Sequence, residues 1–138
     1  MTEPLSADAQ TWLNSALRDR AWAKYDLDGG YYAQACFACQ QAFEKLLKAV
    51  LLAHGIPFPK IHELVRLVQL CSEVEPTVVR FEEDARNIDS YYISTRYPDL
   101  AEEHEYTREE ALDALQTVDD VLATLRPAIE QRLDKGTG

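Results

Sequence analysis

Apolar residues recur along this chain at alternating spacings of four and three, the period of one face of an α-helix. The pattern is clearest where Tyr32, Cys36, Cys39, Phe43, Leu46, Val50 and Ala53 form an unbroken stripe. Phe37, Leu47 and Leu51 widen that stripe, which predicts a central helix packed against more than one neighbour. Ahead of it, Ala9, Leu13, Leu17 and Trp22 give apolar surface to a helix over about 6–27, with Ser6 or Asp8 as its cap and Gly29-Gly30 as the turn that follows. Beyond the HGIPFPK connection, Ile61, Leu64, Leu67, Val68 and Cys71 predict a short helix of ~3 turns, with His62 in its first turn. Another helix opens near Pro76-Thr77, turns Val78, Phe81, Ala85 and Ile88 inward, and ends ahead of Pro98. Thr107 and Glu110 have the spacing of a capping box, and Ala111, Leu115, Val118, Leu122, Leu125 and Ile129 repeat the stripe in a last helix that Pro127 should kink or fray.

No alternating strand pattern and no internal repeat interrupts these segments. The expected fold is all-α, an up-and-down four-helix bundle with one additional short helix. Its 138 residues suit one domain with a core over about 6–134. Hydrophobic residues at 46 % and charged residues at 28 % place it with ordinary globular proteins rather than disordered ones. No run reaches the ~20 apolar residues of a bilayer span, the N-terminus lacks the basic and apolar regions of a signal peptide, and an odd three cysteines fit a reducing compartment. A cytoplasmic protein without a membrane partner is expected.

Charge narrows the function further. A net charge of −10 repels phosphate backbones at long range, so any phosphate site must be local. The basic residues of RDRAWAK and EKLLKA read as solvated helix faces. Cys36 and Cys39 have a C-x-x-C spacing, yet both fall on the apolar stripe and no second ligand pair follows, so they read as packing thiols and no metal is expected. His54, His62 and His104 fit no metal spacing, and His62 reads as a packing or hydrogen-bonding residue. Phosphate-cradling and nucleophile-elbow motifs are missing, and no cofactor is implied.

The stretch YYISTRYPD, residues 91–99, gathers three tyrosines around one arginine. Tyr91 and Tyr92 can complete a hydrophobic helix face. Ser94, Thr95 and Arg96 should then leave the helix, with Tyr97-Pro98 fixing an extended loop. There Arg96 can offer its guanidinium fork to a phosphate, carboxylate or base between stacking rings, or it can cap the helix end by meeting terminal carbonyls.

The run YYAQACFACQQAFEKLLKAVLLAHGIPFPKIHELVRLV, then YYISTRYPD, then YTREEALDAL, is similar to the HEPN domain family, and the resemblance covers about residues 8–132. It implies a dimeric helical bundle of the type encoded beside a minimal nucleotidyltransferase, with which such proteins form toxin–antitoxin pairs, and it implies nucleotide binding. Arg96, Tyr97, Tyr92 and Thr95 are then the candidate ligand or partner residues. Other members of that family are metal-independent endoribonucleases in which an Arg and a His meet across the dimer interface. Arg96 and His104 are the corresponding pair here, though seven residues separate them instead of the nuclease motif's four to six. Tyr106 completes an H-x-Y whose tyrosine is adenylylated in some family toxins, and its other reading is a staple residue ahead of the Thr107 cap.

Two functions follow. In the first, a homodimer binds a nucleotide or docks a nucleotidyltransferase through the STRYPD loop. In the second, His104 is the general acid–base on an RNA 2′-OH while Arg96 stabilises the charged phosphorane. The acidic DLAEEHEYTREE around the pair favours the first.

Overall fold

The computed structural model describes the backbone of residues 5–57, 60–96 and 104–137, and the side chains of residues 9–57, 60–91 and 104–133. Five α-helices account for most of it: α1 (Leu5–Asp28), α2 (Tyr32–Ala53), α3 (Leu64–Ser72), α4 (Glu82–Arg96) and α5 (Arg108–Thr137). A 3₁₀ segment, Pro76–Phe81, leads into α4, and no strand occurs among the described residues. The chain is all-α, as its periodicity predicts.

α2 is the central element and packs against each of the other four α-helices. Its width explains this, since Cys36, Cys39, Phe43, Leu46 and Val50 of the stripe and Leu47 and Leu51 beside it are all buried. Val78, Phe81, Ala85 and Ile88 turn inward together, so the 3₁₀ segment and α4 share one apolar face. Between α1 and α2 the chain reverses at Gly30, whose φ of +84° lies in the left-handed region that residues with a side chain rarely adopt. α5 opens on the capping box: Glu110 N–H donates to Thr107 Oγ1 at 3.1 Å, and Thr107 N–H donates to Glu110 Oε1 at 2.9 Å.

Four expectations need correction. α1 begins at Leu5, so Ser6 and Asp8 lie inside the helix instead of capping it. α3 begins at Leu64, which leaves Ile61 and His62 ahead of it. α5 continues past Pro127 to Thr137, because Pro127 and Ala123 both stand on the exposed face and water can satisfy the carbonyl that loses its donor. Trp22 is 60 % exposed and contributes nothing to the core.

Ion pairs fasten the helices at their edges. Arg20 of α1 grips Asp119 of α5 with both fork arms, at 2.8 and 3.0 Å, and Lys45 Nζ of α2 lies 2.7 Å from the Asp19 carboxylate. The thiols are inert packing groups: burial raises Cys36 and Cys71 to about 12 and Cys39 further, and Cys71 Sγ donates to the Leu47 carbonyl at 3.2 Å.

His54, at the C-terminus of α2, links stability to pH. Burial, aided by the Arg132 charge and opposed by Glu75, holds its imidazole below the ordinary 6.5. The unfolded chain therefore binds that proton more readily than the folded one, and stability is lost as pH falls below about 6.5. Thermal melts between about pH 5 and 7.5 should show the midpoint dropping on the acid side, and His54→Asn should flatten that slope. An unchanged slope in the variant would assign the acid sensitivity to other groups.

Candidate functional site

Two polar centres interrupt the apolar packing. The first lies along α2, where Gln40, Glu44 and Lys48 recur every fourth residue and are all buried, with side-chain exposures of 7 % for Glu44 and 4 % for Lys48. Lys48 Nζ donates to Glu44 Oε2 at 2.7 Å, and Gln40 Nε2 donates to Glu44 Oε1 at 3.2 Å. His62, from the segment ahead of α3, reaches the same Oε2 with Nδ1 at 3.0 Å, and the Trp12 ring of α1 lies 5.6 Å from Lys48 Nζ. Two residues beyond His62 in the chain α3 begins, and Asp89 of α4 accepts the N–H groups of Leu64 and Val65 at 2.7 and 3.2 Å and so caps α3 from outside. Burial raises the Asp89 carboxyl above its ordinary value, and those two backbone donors work against the rise.

The second centre stands at the start of α5. His104 Nε2 lies 3.0 and 3.2 Å from the two Glu110 carboxylate oxygens, so Glu110 caps the helix and holds the imidazole at once. The His104 ring meets Tyr106 edge-on at 4.5 Å, and Tyr106 in turn meets Tyr91 of α4 edge-on at 5.4 Å. Burial pushes the Tyr106 phenol up to about 12, so it is protonated at neutral pH, and its O–H lies 3.5 Å from the Tyr91 carbonyl. His104 and Tyr106 close one end of a cleft of about 690 Å³ between α1 and α2. Trp22 and Phe37 supply its apolar walls, Gln34 and Gln41 its amides, and Asp19 and Asp26 its charge; no Lys or Arg is among the described residues that line it.

The HEPN domain profile matches residues 9–128. The chain belongs to the HEPN family. Among solved structures, TT1696 from Thermus thermophilus is 36 % identical with a TM-score of 0.77, over 90 % of this chain and 97 % of that one. ST0689, described as an archaeal HEPN homologue, is 27 % identical with a TM-score of 0.69, over 88 % of this chain and 97 % of that one. A protein of Methanocaldococcus jannaschii named "Putative toxin MJ1304" is 24 % identical over 136 residues, 90 % of each chain.

In this HEPN domain the backbone of Ser94, Thr95 and Arg96 remains in α4, which corrects the expectation of a loop there: Arg96 is the last helical residue, two turns beyond Asp89. The side chains of Tyr92, Thr95 and Arg96 lie outside the described residues, as do Tyr97 and Pro98 altogether. His104 and Tyr106 are brought together at the cleft, and Tyr91 ties them to α4. Sequence reasoning missed Glu44, Lys48 and Asp89. An available signal was the four-residue repeat of Gln40, Glu44 and Lys48 on the most apolar helix of the chain, where few positions are left for solvent.

Proposed function

We propose that this HEPN protein is the partner-controlled member of a toxin–antitoxin type pair. It acts as a cytoplasmic homodimer whose α4 terminus, Arg96 with Tyr92, Thr95 and Tyr97, binds a nucleotide or docks a minimal nucleotidyltransferase. Tyr106 is the residue such a partner would modify. The toxin relationship rests on the resemblance to the Methanocaldococcus protein. The observation that carries the choice of a binding module over a nuclease is the setting of His104, held by Glu110 beside a cleft whose charged lining is Asp19 and Asp26. A phosphodiester entering that cleft meets the Asp26 carboxylate, while Lys45 is already taken up by Asp19, and no Lys or Arg among the described lining residues offsets the charge of a phosphorane.

Two variants test this reading. Arg96→Ala should weaken adenosine-nucleotide binding, measured by calorimetry, several-fold while changing stability by no more than ~1 kcal/mol. His104→Ala should leave that binding little changed. A wild-type chain that cleaves RNA, with cleavage reduced ~100-fold or more by His104→Ala, would establish the endoribonuclease instead. Arg96→Ala that unfolds the chain and leaves every binding assay untouched would make Arg96 a helix cap.

A further inference from the structure

The function proposed above gives the α1/α2 cleft no ligand, yet its lining has a definite chemical character. At about 690 Å³ the cleft falls within the ~300–1,000 Å³ of small-molecule sites, and like them it joins mostly apolar walls to a few polar groups. Trp22 comes from α1, Phe37 from α2 and Tyr106 from the segment ahead of α5, so three parts of the chain each bring an aromatic ring to it. On α2, Gln41 donates its amide N–H to the Gln40 side chain, which leaves the Gln41 oxygen to accept from a ligand.

The charges decide the class of occupant. Asp19 is neutralised by Lys45, whose Nζ lies 2.7 Å from Oδ2 and also donates to Ser15 Oγ at 2.8 Å. His104, the one described lining group able to become a cation, has Nε2 3.0 Å from the Glu110 carboxylate. Asp26 is different: it is half-buried and makes no ion pair among the described residues, while Lys24, two residues before it, is taken up by Asp28 at 2.6 Å. Its place is fixed, because its backbone carbonyl accepts the Tyr31 N–H at 2.8 Å where the chain turns towards α2. With no Lys or Arg in the described lining, the charge balance of the cleft is negative. An anion would meet Asp26 unopposed, and a neutral apolar body would strip water from that carboxylate without replacing it. A cation on an apolar body satisfies both features, since it pairs with the carboxylate and is attracted by the ring faces.

We propose that the α1/α2 cleft binds a small organic cation, an ammonium or guanidinium on an apolar body, with Asp26 as its counter-ion and Trp22, Phe37 and Tyr106 as its aromatic walls. No residue of α4 is among the described lining, so this ligand is additional to the nucleotide assigned to Arg96, and the proposal does not rest on that assignment. The net charge of −10 favours the approach of such a ligand at long range, as it opposes that of a phosphate.

Nuclear magnetic resonance titration of the full chain with three probes of similar shape tests the proposal: 2-phenylethylammonium, the neutral 2-phenylethanol and the anionic 3-phenylpropanoate. The ammonium should bind roughly tenfold more tightly than either of the others, the combined effect of one partly exposed ion pair and one cation–π contact. Its binding should shift the resonances of Phe37 and Tyr106 together with those of Trp22. Asp26→Asn should cut the preference for the ammonium over the alcohol to about threefold or less, and Trp22→Leu should weaken both probes. Each variant should keep the wild-type circular dichroism melt, because Trp22 lies outside the core and Asp26 has no ion pair to lose among the described residues. An ammonium that binds no more tightly than the alcohol, or not at all, would overturn the proposal, and so would a preference that survives Asp26→Asn. Shifts confined to Trp22 and Tyr25 would place the probe in the separate groove that Trp22 and Tyr25 line with Arg18 on α1, and would overturn it likewise.

Discussion

Phe43→Ala is expected to remove ~3–5 kcal/mol of folding stability and Leu46→Ala ~2–5 kcal/mol, a large share of the ~5–15 kcal/mol that a domain commonly possesses. Both side chains are fully buried on α2, the one helix that touches all the others, so the space left behind is walled by several elements at once. Phe43 also meets Phe81 of the 3₁₀ segment edge-on at 6.5 Å, a contact that truncation removes. Leu122→Ala should cost less, because Leu122 is only partly buried on α5 and water can reach part of the vacated space. Urea denaturation of the three variants checks the order. A Phe43→Ala loss below ~1 kcal/mol would mean that α2 is not the keystone of the packing.

What periodicity could and could not reveal follows from what it measures. A four-three stripe reports which side of a helix is apolar, and on that basis Tyr32–Ala53, the inward set from Val78 to Ile88 and the apolar face of α5 were all legible. The Thr107–Glu110 box was legible for a different reason: its hydrogen bonds are local, and sequence spacing alone determines whether they can form. Glu44 and Lys48 were misread because an i,i+4 carboxylate–ammonium pair has the same spacing on a solvated face as in an interior. Burial came from tertiary packing, with His62 from ahead of α3 and Trp12 of α1 closing on them, which the pair's own spacing does not report. The cap of α3 was hidden likewise, since its carboxylate arrives from Asp89 on another helix.

The end of α4 carries the same lesson for the site. Pro98 restricts only the residue directly before it, Tyr97, and nothing in its ring forbids helix at Arg96. Moving Arg96 from loop to helix terminus changes its chemistry: it now sits where terminal carbonyls attract a cation, and where two turns of rigid helix tie it to Asp89. Trp22 presents the opposite case. Its register on α1 looked like core, but the apolar face of α1 is completed by Ala9, Leu13, Ala16, Ala23 and Leu27, leaving the tryptophan on the outside.

The buried charges of α2 give the second large effect. Lys48→Met removes the cation 2.7 Å from a carboxylate whose side chain is 7 % exposed, and leaves Gln40 and His62, of the described residues, to hold it. Stripping a partner from a buried ion pair costs ~3–5 kcal/mol, because the remaining charge keeps its desolvation penalty and loses the attraction that offset it. Lys48→Met should therefore destabilise the chain about as much as a large core truncation, even though methionine fills nearly the same space and still packs on Trp12. Combining it with Glu44→Gln removes the orphaned charge while keeping a carbonyl oxygen as acceptor for Gln40 and offering an amide N–H to His62 Nδ1, which can accept it, and the double variant should recover most of the loss, to within ~1.5 kcal/mol of wild type. Chemical denaturation of the two single variants and the double closes the cycle. A Lys48→Met variant within ~1 kcal/mol of wild type would mean that the ladder behaves as a solvated helix face despite its burial.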